Sequence, residues 1–278
     1  MIGRVISLLG LLFVWSPDAI AAPSRVVSMN LCTDHLAYRL AGPGQLISVS
    51  YLSGDPSSSL IADEIPEEKF NHGLAEEILR LKPDLVVAGT YSTRTTVQLL
   101  RRLGVRVEEF EPARNFDDIV ENIRRMGQLL AQEEAASALI HEFEEKLKIA
   151  ALRNETPDRQ PLLGIYSMNS YVAGAASLES KMTEAAGFRH MGSELGMTGS
   201  GRLSLESLIL TNPNYLMTWH RRGDISTRSN EMLRHPALTN WFAEDRRLYL
   251  DERNWICGTP NVMDGIMALQ AERIRRGQ

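Results

Sequence analysis

Residues 74–89, Leu-Ala-Glu-Glu-Ile-Leu-Arg-Leu-Lys-Pro-Asp-Leu-Val-Val-Ala-Gly, restrict the fold more than any other stretch. Leu74, Ile78 and Leu81 recur at helical spacing, which predicts a short helix with one buried stripe. Pro83 ends it, because proline lacks an N–H and its ring clashes with the preceding turn. Leu85–Ala88 is then an unbroken apolar run of strand length, the pattern of a parallel strand buried on both faces. Gly89-Thr90-Tyr91 leaves the strand's carboxyl end, where open α/β sheets bind ligands. Residues 203–218 repeat the design: Glu76 and Glu206 each precede a proline, Pro83 and Pro213, by seven residues, and Asp84 matches Asn214. A helix–proline–strand unit used twice predicts two similar lobes. Each carries an aromatic-bearing loop at a strand's end, with Tyr91 in the first and Trp219 or His220 in the second.

The rest of the chain alternates in the same way. Strands are predicted at Arg25–Met29, Leu46–Val49, Val105–Phe110, Leu162–Tyr166 and Arg247–Leu250. Helices fall between them, including Val97–Leu103, Leu178–Ala186 and Val262–Arg275, and Arg189–Gly201 reads as a glycine-rich loop. Such alternation predicts an α/β fold with parallel-type sheets. Phe116–Leu130 and Glu133–Arg153 are amphipathic helical patterns with no strand between them. The second would run roughly 30 Å, enough to bridge two lobes. The expected division is a first lobe at 23–131, a bridging helix at 132–154 and a second lobe at 155–278. Residues 1–22 differ in kind: a basic residue within Met1–Arg4, an apolar block Ile6–Trp15 and the small residues Ala19-Ile20-Ala21 predict a secretory signal peptide and a periplasm-like destination.

At 278 residues the chain has room for two α/β lobes, and a formal net charge of −5 argues against nucleic acid as a partner. Cys32 and Cys257 sit in loops after strands of different lobes. A bond between them would lock the lobes together, and the expectation is two free thiols. Catalytic motifs are missing: no phosphate-cradling loop with lysine, no Gly-x-Ser-x-Gly elbow and no Cys-x-x-Cys. His141-Glu142 begins like a zinc-protease helix, but Glu145 stands where the second histidine belongs. No catalytic residue, resident cofactor or metal site is assigned, and the chain is read as a binding protein rather than an enzyme.

Arg-Val-Val-Ser at 25–28, the 74–86 run, Leu-Gly-Val-Arg-Val at 103–107 and Leu-Ser-Leu-Glu-Ser-Leu at 203–208 carry a family likeness. In these the chain resembles the periplasmic substrate-binding proteins of ABC importers for iron–siderophores, haem and cobalamin, the class built on one long helix. The resemblance runs from about Arg25 to the end. It implies two lobes joined by a rigid helix with ligand between them, a monomer that hands a metal chelate to a membrane permease and its ATPase. It also implies that Glu76 and Glu206, one on each lobe, dock into permease arginines. Strand-exit loops would then supply a cleft wall of Tyr51, Phe70, Tyr91, Tyr171, Trp219, His220 and Trp255, suited to a large, flat, partly apolar ligand. Arg94, Arg221 and Arg222 could meet ligand carboxylates, and Asp55, Asp224 and Asp251 could meet amides. Two alternatives stay open: a binding protein for a bare divalent metal, and an exported α/β enzyme using Ser28, Ser167 or Cys32.

Overall fold

The computed structural model describes residues 22–152, 160–218 and 235–277. In the first half, β1 (Val26–Ser28), α1 (Leu31–Leu40), β2 (Leu46–Ser50), β3 (Phe70–Asn71), α2 (Ala75–Arg80), β4 (Leu85–Gly89), α3 (Arg94–Arg102) and β5 (Val107–Phe110) follow in order. Two long helices come next, α4 (Phe116–Leu130) and α5 (Glu133–Ala151). The second half contains β6 (Leu162–Ile165), β7 (Tyr171–Val172), α6 (Leu178–Ala185), β8 (Arg189–His190), α7 (Met191–Glu194), β9 (Gly201–Arg202) and α8 (Leu205–Thr211). It continues with β10 (Tyr215–Met217), α9 (Pro236–Trp241), β11 (Arg247–Leu248) and α10 (Val262–Arg275). The expected glycine-rich loop at 189–201 is therefore partly structured. β9 pairs antiparallel with β7, matching Tyr171 with Arg202.

Two parallel sheets form, ordered β3-β2-β1-β4-β5 and β11-β10-β6-β8. The apolar run of β4 is buried on both faces because the sheet is covered on both. Leu85 and Val87 pack with Val26, Ile119 and Ile123 on the α1–α4 side. Val86 and Ala88 pack with Ile78, Val97 and Leu100 on the α2–α3 side. The second sheet does the same: Leu163, Ile165 and Met217 face Met182 and Ile266, while Leu162 and Leu216 face Met191, Leu208 and Leu238. The inner faces of both sheets belong to one continuous apolar cluster that runs through Leu139 and Phe143 of α5. Gly127 makes the α4–α5 crossing close, since a Cβ there would come within 2.4 Å of the Ala136 Cβ. Among the described residues no helix is long and apolar enough to cross a membrane.

The repeated unit is physically the same in both halves. Lys82 and Asn212, each just before its proline, both take left-handed backbone with φ 47°. The residue after the proline reaches sideways to the neighbouring strand. Asp84 accepts from the Ser24 and Arg25 N–H groups at 2.8 and 3.0 Å, and Asn214 accepts from the Leu162 N–H at 2.7 Å. An arginine braces the turn in both halves: Arg25 donates to the Leu81 carbonyl, an acceptor that the helix terminus leaves open, and Arg246 donates to the Asn212 side chain and to the Asn214 carbonyl beyond the end of α8.

The expectation of two free thiols is overturned. Cys32 and Cys257 form a disulfide, with Cα atoms 5.2 Å apart at a sequence separation of 225. Sequence separation hides the proximity that α1 and the segment before α10 create. Closing so long a loop constrains the unfolded chain, which stabilises by on the order of 2–5 kcal/mol. Reduction, or the C32S/C257S double substitution, is expected to lower the Tm by roughly 5–15 °C. Scanning calorimetry with and without reductant checks this, the double variant being insensitive to reductant.

Candidate functional site

In the first sheet the chain order reverses between β1 and β4, and in the second between β6 and β10. Crevices at the carboxyl ends of such strand pairs are where open parallel sheets hold ligands. A cleft of about 520 Å³ lies at the first of these and reaches across to the second half, within the usual range for ligand sites. Its first wall comes from the exits of β1 (Asn30, Cys32), β4 (Gly89 to Tyr91) and β5 (Phe110 to Ala113). The opposite wall is the start of α6, Ser177 to Glu179, with Glu252, Trp255, Ile256, Gly258 and Thr259.

Local chemistry fixes these positions. The Asn30 side chain caps α1 by accepting from the Cys32 N–H at 3.0 Å, and the Ser28 and Thr33 hydroxyls bond at 2.8 Å. Cys32 is thereby held in the cleft lining, bonded to Cys257. Gly258 must be small, since a Cβ there would lie 2.5 Å from the Ala113 Cβ on the other wall. Thr90 donates to Glu111 at 3.2 Å. Elsewhere in the first turn of α1, the buried Asp34 accepts from the Ser50 N–H and the Ser53 hydroxyl. Burial outweighs those bonds and raises its carboxyl to about 6.

Glu179 is the electrostatic anomaly. The residue is in the cleft lining, its Oε1 is sealed from solvent without a hydrogen-bond partner among the described residues, and burial raises its carboxyl to about 7. Among the described residues the cleft lining includes three carboxylates, Glu111, Glu179 and Glu252, and no Lys, Arg or His.

The structure separates the expected aromatic wall. Tyr91, 85% exposed, and Trp255, 8% exposed, both line the cleft. Tyr51 stacks on His72 with ring centroids 5.1 Å apart, Phe70 packs over Gly54, and Arg202 lies over Tyr171 at 5.8 Å. None of these three lines the cleft. Trp219, His220, Arg221, Arg222, Asp224 and the core of the expected signal peptide lie outside the described residues. Asp55 is engaged by Ser57 and Ser58, and Asp251 by Arg253. Glu76 and Glu206 are both exposed, in the first turns of α2 and α8. The Glu206 carboxyl is held below its usual range by its own backbone N–H and by the Ser204 hydroxyl. Cys32 is bonded and Ser28 faces Thr33, so neither presents a nucleophile to a histidine. Glu111, Glu179, Glu252 and Thr259 were not anticipated. For Glu179 the available signal was Ser177, a helix-capping serine two residues before an acid at the start of a predicted helix.

Residues 26–252 match the model of a family described as periplasmic binding protein. A cobalamin-binding protein of Halobacterium salinarum is 27% identical over 204 residues, 70% of this chain and 54% of that one. A vitamin B12-binding protein of Vibrio cholerae is 26% identical over 170 residues, 59% of this chain and 60% of that one. The chain thus spans little more than half the length of these relatives. A crystal structure of a periplasmic heme binding protein from Pseudomonas aeruginosa superposes with a TM-score of 0.72 at 22% identity, covering 90% of this chain and 92% of that one. At that identity the likeness is one of fold.

The raised Glu179 carboxyl has a consequence for stability. A group that is harder to ionise when folded binds more protons in the folded state. Its cost sets in as pH rises above the ordinary 4.5 and is fully developed above about 7. The E179Q variant is expected to match wild type at pH 5 and exceed it by about 1–3 kcal/mol at pH 8, read from urea unfolding at both values.

Proposed function

Since the chain belongs to the periplasmic binding protein family, we propose that it captures a bulky metal chelate of the cobalamin, ferric siderophore or haem class and delivers it to an ABC permease. The observation that carries this is the cleft itself. It lies at the strand reversal of a parallel sheet, is bounded by a second lobe, and has Tyr91 and Trp255 in its lining. Aromatic faces on a largely apolar wall suit a flat macrocycle or chelate. The names of the relatives, a cobalamin-binding and a vitamin B12-binding protein, support that ligand class. The chain performs no reaction of its own, and the energy for import comes from the partner ATPase. A periplasmic location fits the disulfide, since such bonds persist in oxidising compartments.

Delivery is assigned to Glu76 and Glu206. Each is an exposed acid in the first turn of a helix, at the same place in a unit used once per lobe. Paired carboxylates so placed make a two-point, charge-assisted dock for arginines.

Titration with cyanocobalamin, haemin and ferric hydroxamates is expected to quench the Trp255 contribution to fluorescence for at least one ligand, with W255F losing that signal. Absence of binding to all of them, by fluorescence and by calorimetry, overturns the reading. In a reconstituted importer, E76K/E206K is expected to keep ligand affinity within about twofold yet cut uptake by roughly tenfold or more. Undiminished uptake would remove these two residues from the docking role.

A further inference from the structure

Resting on the delivery role assigned to Glu76 and Glu206, we propose that the dock on each lobe is larger than its glutamate. In the first lobe it includes Tyr51 and His72, and in the second Tyr171 and Arg202. The partner is a permease that presents one surface twice. Each copy offers an arginine to the glutamate and an apolar side chain to the tyrosine ring.

The fold sets both tyrosines outside the cleft lining and gives them matching neighbours. His72 stands four residues before Glu76, and Arg202 four before Glu206. Tyr51 stacks on the His72 ring with centroids 5.1 Å apart, and the Arg202 guanidinium lies over the Tyr171 ring at 5.8 Å. Both tyrosines remain open to solvent, at 51% and 44% exposure. Exposed aliphatic side chains accompany each ring in sequence, Leu52 and Leu74 in the first lobe and Met168 in the second.

The two halves reach this arrangement by different routes. β3 runs parallel to β2 and pairs Asn71 with Ser50, and His72 and Tyr51 are the next residue of each chain segment. β9 runs antiparallel to β7 and pairs Arg202 with Tyr171 directly. A copied sheet would copy its pairing. Here the pairing differs and the exposed group recurs, so the common factor is the surface chemistry.

That chemistry suits a dock. Four residues of chain span at most about 14 Å, which puts each ring and its nitrogenous neighbour within the footprint of a standard interface around the glutamate, roughly 800 Å² on each partner. Tyrosine and arginine are the side chains that such interfaces enrich and that carry most of their binding energy. In the first lobe Glu77 is engaged locally: it accepts from the His72 N–H at 2.8 Å and lies 3.3 Å from its Nδ1. This contact fixes His72 beside Tyr51, while Glu76 next to it is exposed. Like chemistry at two points calls for like surfaces on the partner, which a two-fold pair of identical subunits supplies.

The test measures binding of the full chain to its permease–ATPase complex in nanodiscs by interferometry. Calorimetry with cyanocobalamin, haemin and a ferric hydroxamate is run in parallel. Y51A/Y171A, with a native melting curve, is expected to weaken permease binding by at least about tenfold and to keep affinity for whichever chelate binds within about twofold. Y51A and Y171A alone should each contribute, their effects multiplying because the sites lie in different lobes. Y51F/Y171F keeps the rings and should bind as wild type. H72A/R202A, which removes the group each ring rests against, should cost at least about threefold. Undiminished permease binding by natively folded Y51A/Y171A and H72A/R202A, while E76K/E206K loses it, overturns the enlarged dock and spares the glutamates. A loss confined to one tyrosine overturns the twin arrangement. Loss of chelate affinity with permease binding intact returns the tyrosines to the ligand and also overturns the inference. Undiminished binding by all three double variants overturns the delivery role as well.

Discussion

The bond between Cys32 and Cys257 joins the start of α1 to the segment leading into α10. It therefore ties one strand-exit surface to the other, with Cys32 in the lining of the cleft they enclose. A second tie, made of packing, lies away from it. α5 packs against α4 on one side and against α6 and α10 on the other, inside an apolar cluster that includes the inner faces of both sheets. Close-packed interiors resist shear. With one covalent and one packed connection, the separation of the walls is a property of the fold, and every distance across the cleft follows from it. Gly258 against Ala113 shows how near the walls come.

Each half solves the same local problem in the same way. A helix must stop, turn through a proline and feed a buried strand, and its open carbonyls need donors. Lys82 and Asn212 supply the left-handed turn, Arg25 the donor to the open Leu81 carbonyl, Arg246 a brace on the Asn212 side chain and the turn that follows, and Asp84 and Asn214 the sideways bond that holds the neighbouring strand in place. Asp and Asn are interchangeable here because both present a carbonyl-type oxygen to backbone N–H groups. That shared geometry is why an acid seven residues before the proline falls in the exposed first turn of a helix in both halves.

Periodicity made the long elements legible. The bounds of α4 and α10 are those expected, and the apolar stripe of α5 is Ala136, Leu139 and Phe143, with Ile140 and Leu147 partly buried. Two-residue strands such as β3, β7 and β8 carry too few side chains to show any period, and their pairing depends on neighbours supplied from elsewhere in the chain. The cysteine pairing was invisible for a related reason: nothing local to residue 32 refers to residue 257. Aromatics at strand exits were a partial guide to the site. Tyr91 and Trp255 lie in the cleft because their strands flank it, whereas Tyr51 and Tyr171 are drawn aside by His72 and Arg202. Glu179 escaped notice because an acid in a helix's first turn is ordinary in sequence, and its burial arises only in the folded chain.

A receptor of the hinged kind announces its cargo by shutting. Jaws stitched together by a covalent bond have little travel left, so full and empty forms would look nearly alike from outside. On the importer reading, whatever the membrane machinery inspects must then be the cargo's own rim showing at the mouth, where the side chain of Tyr91 already stands in open solvent.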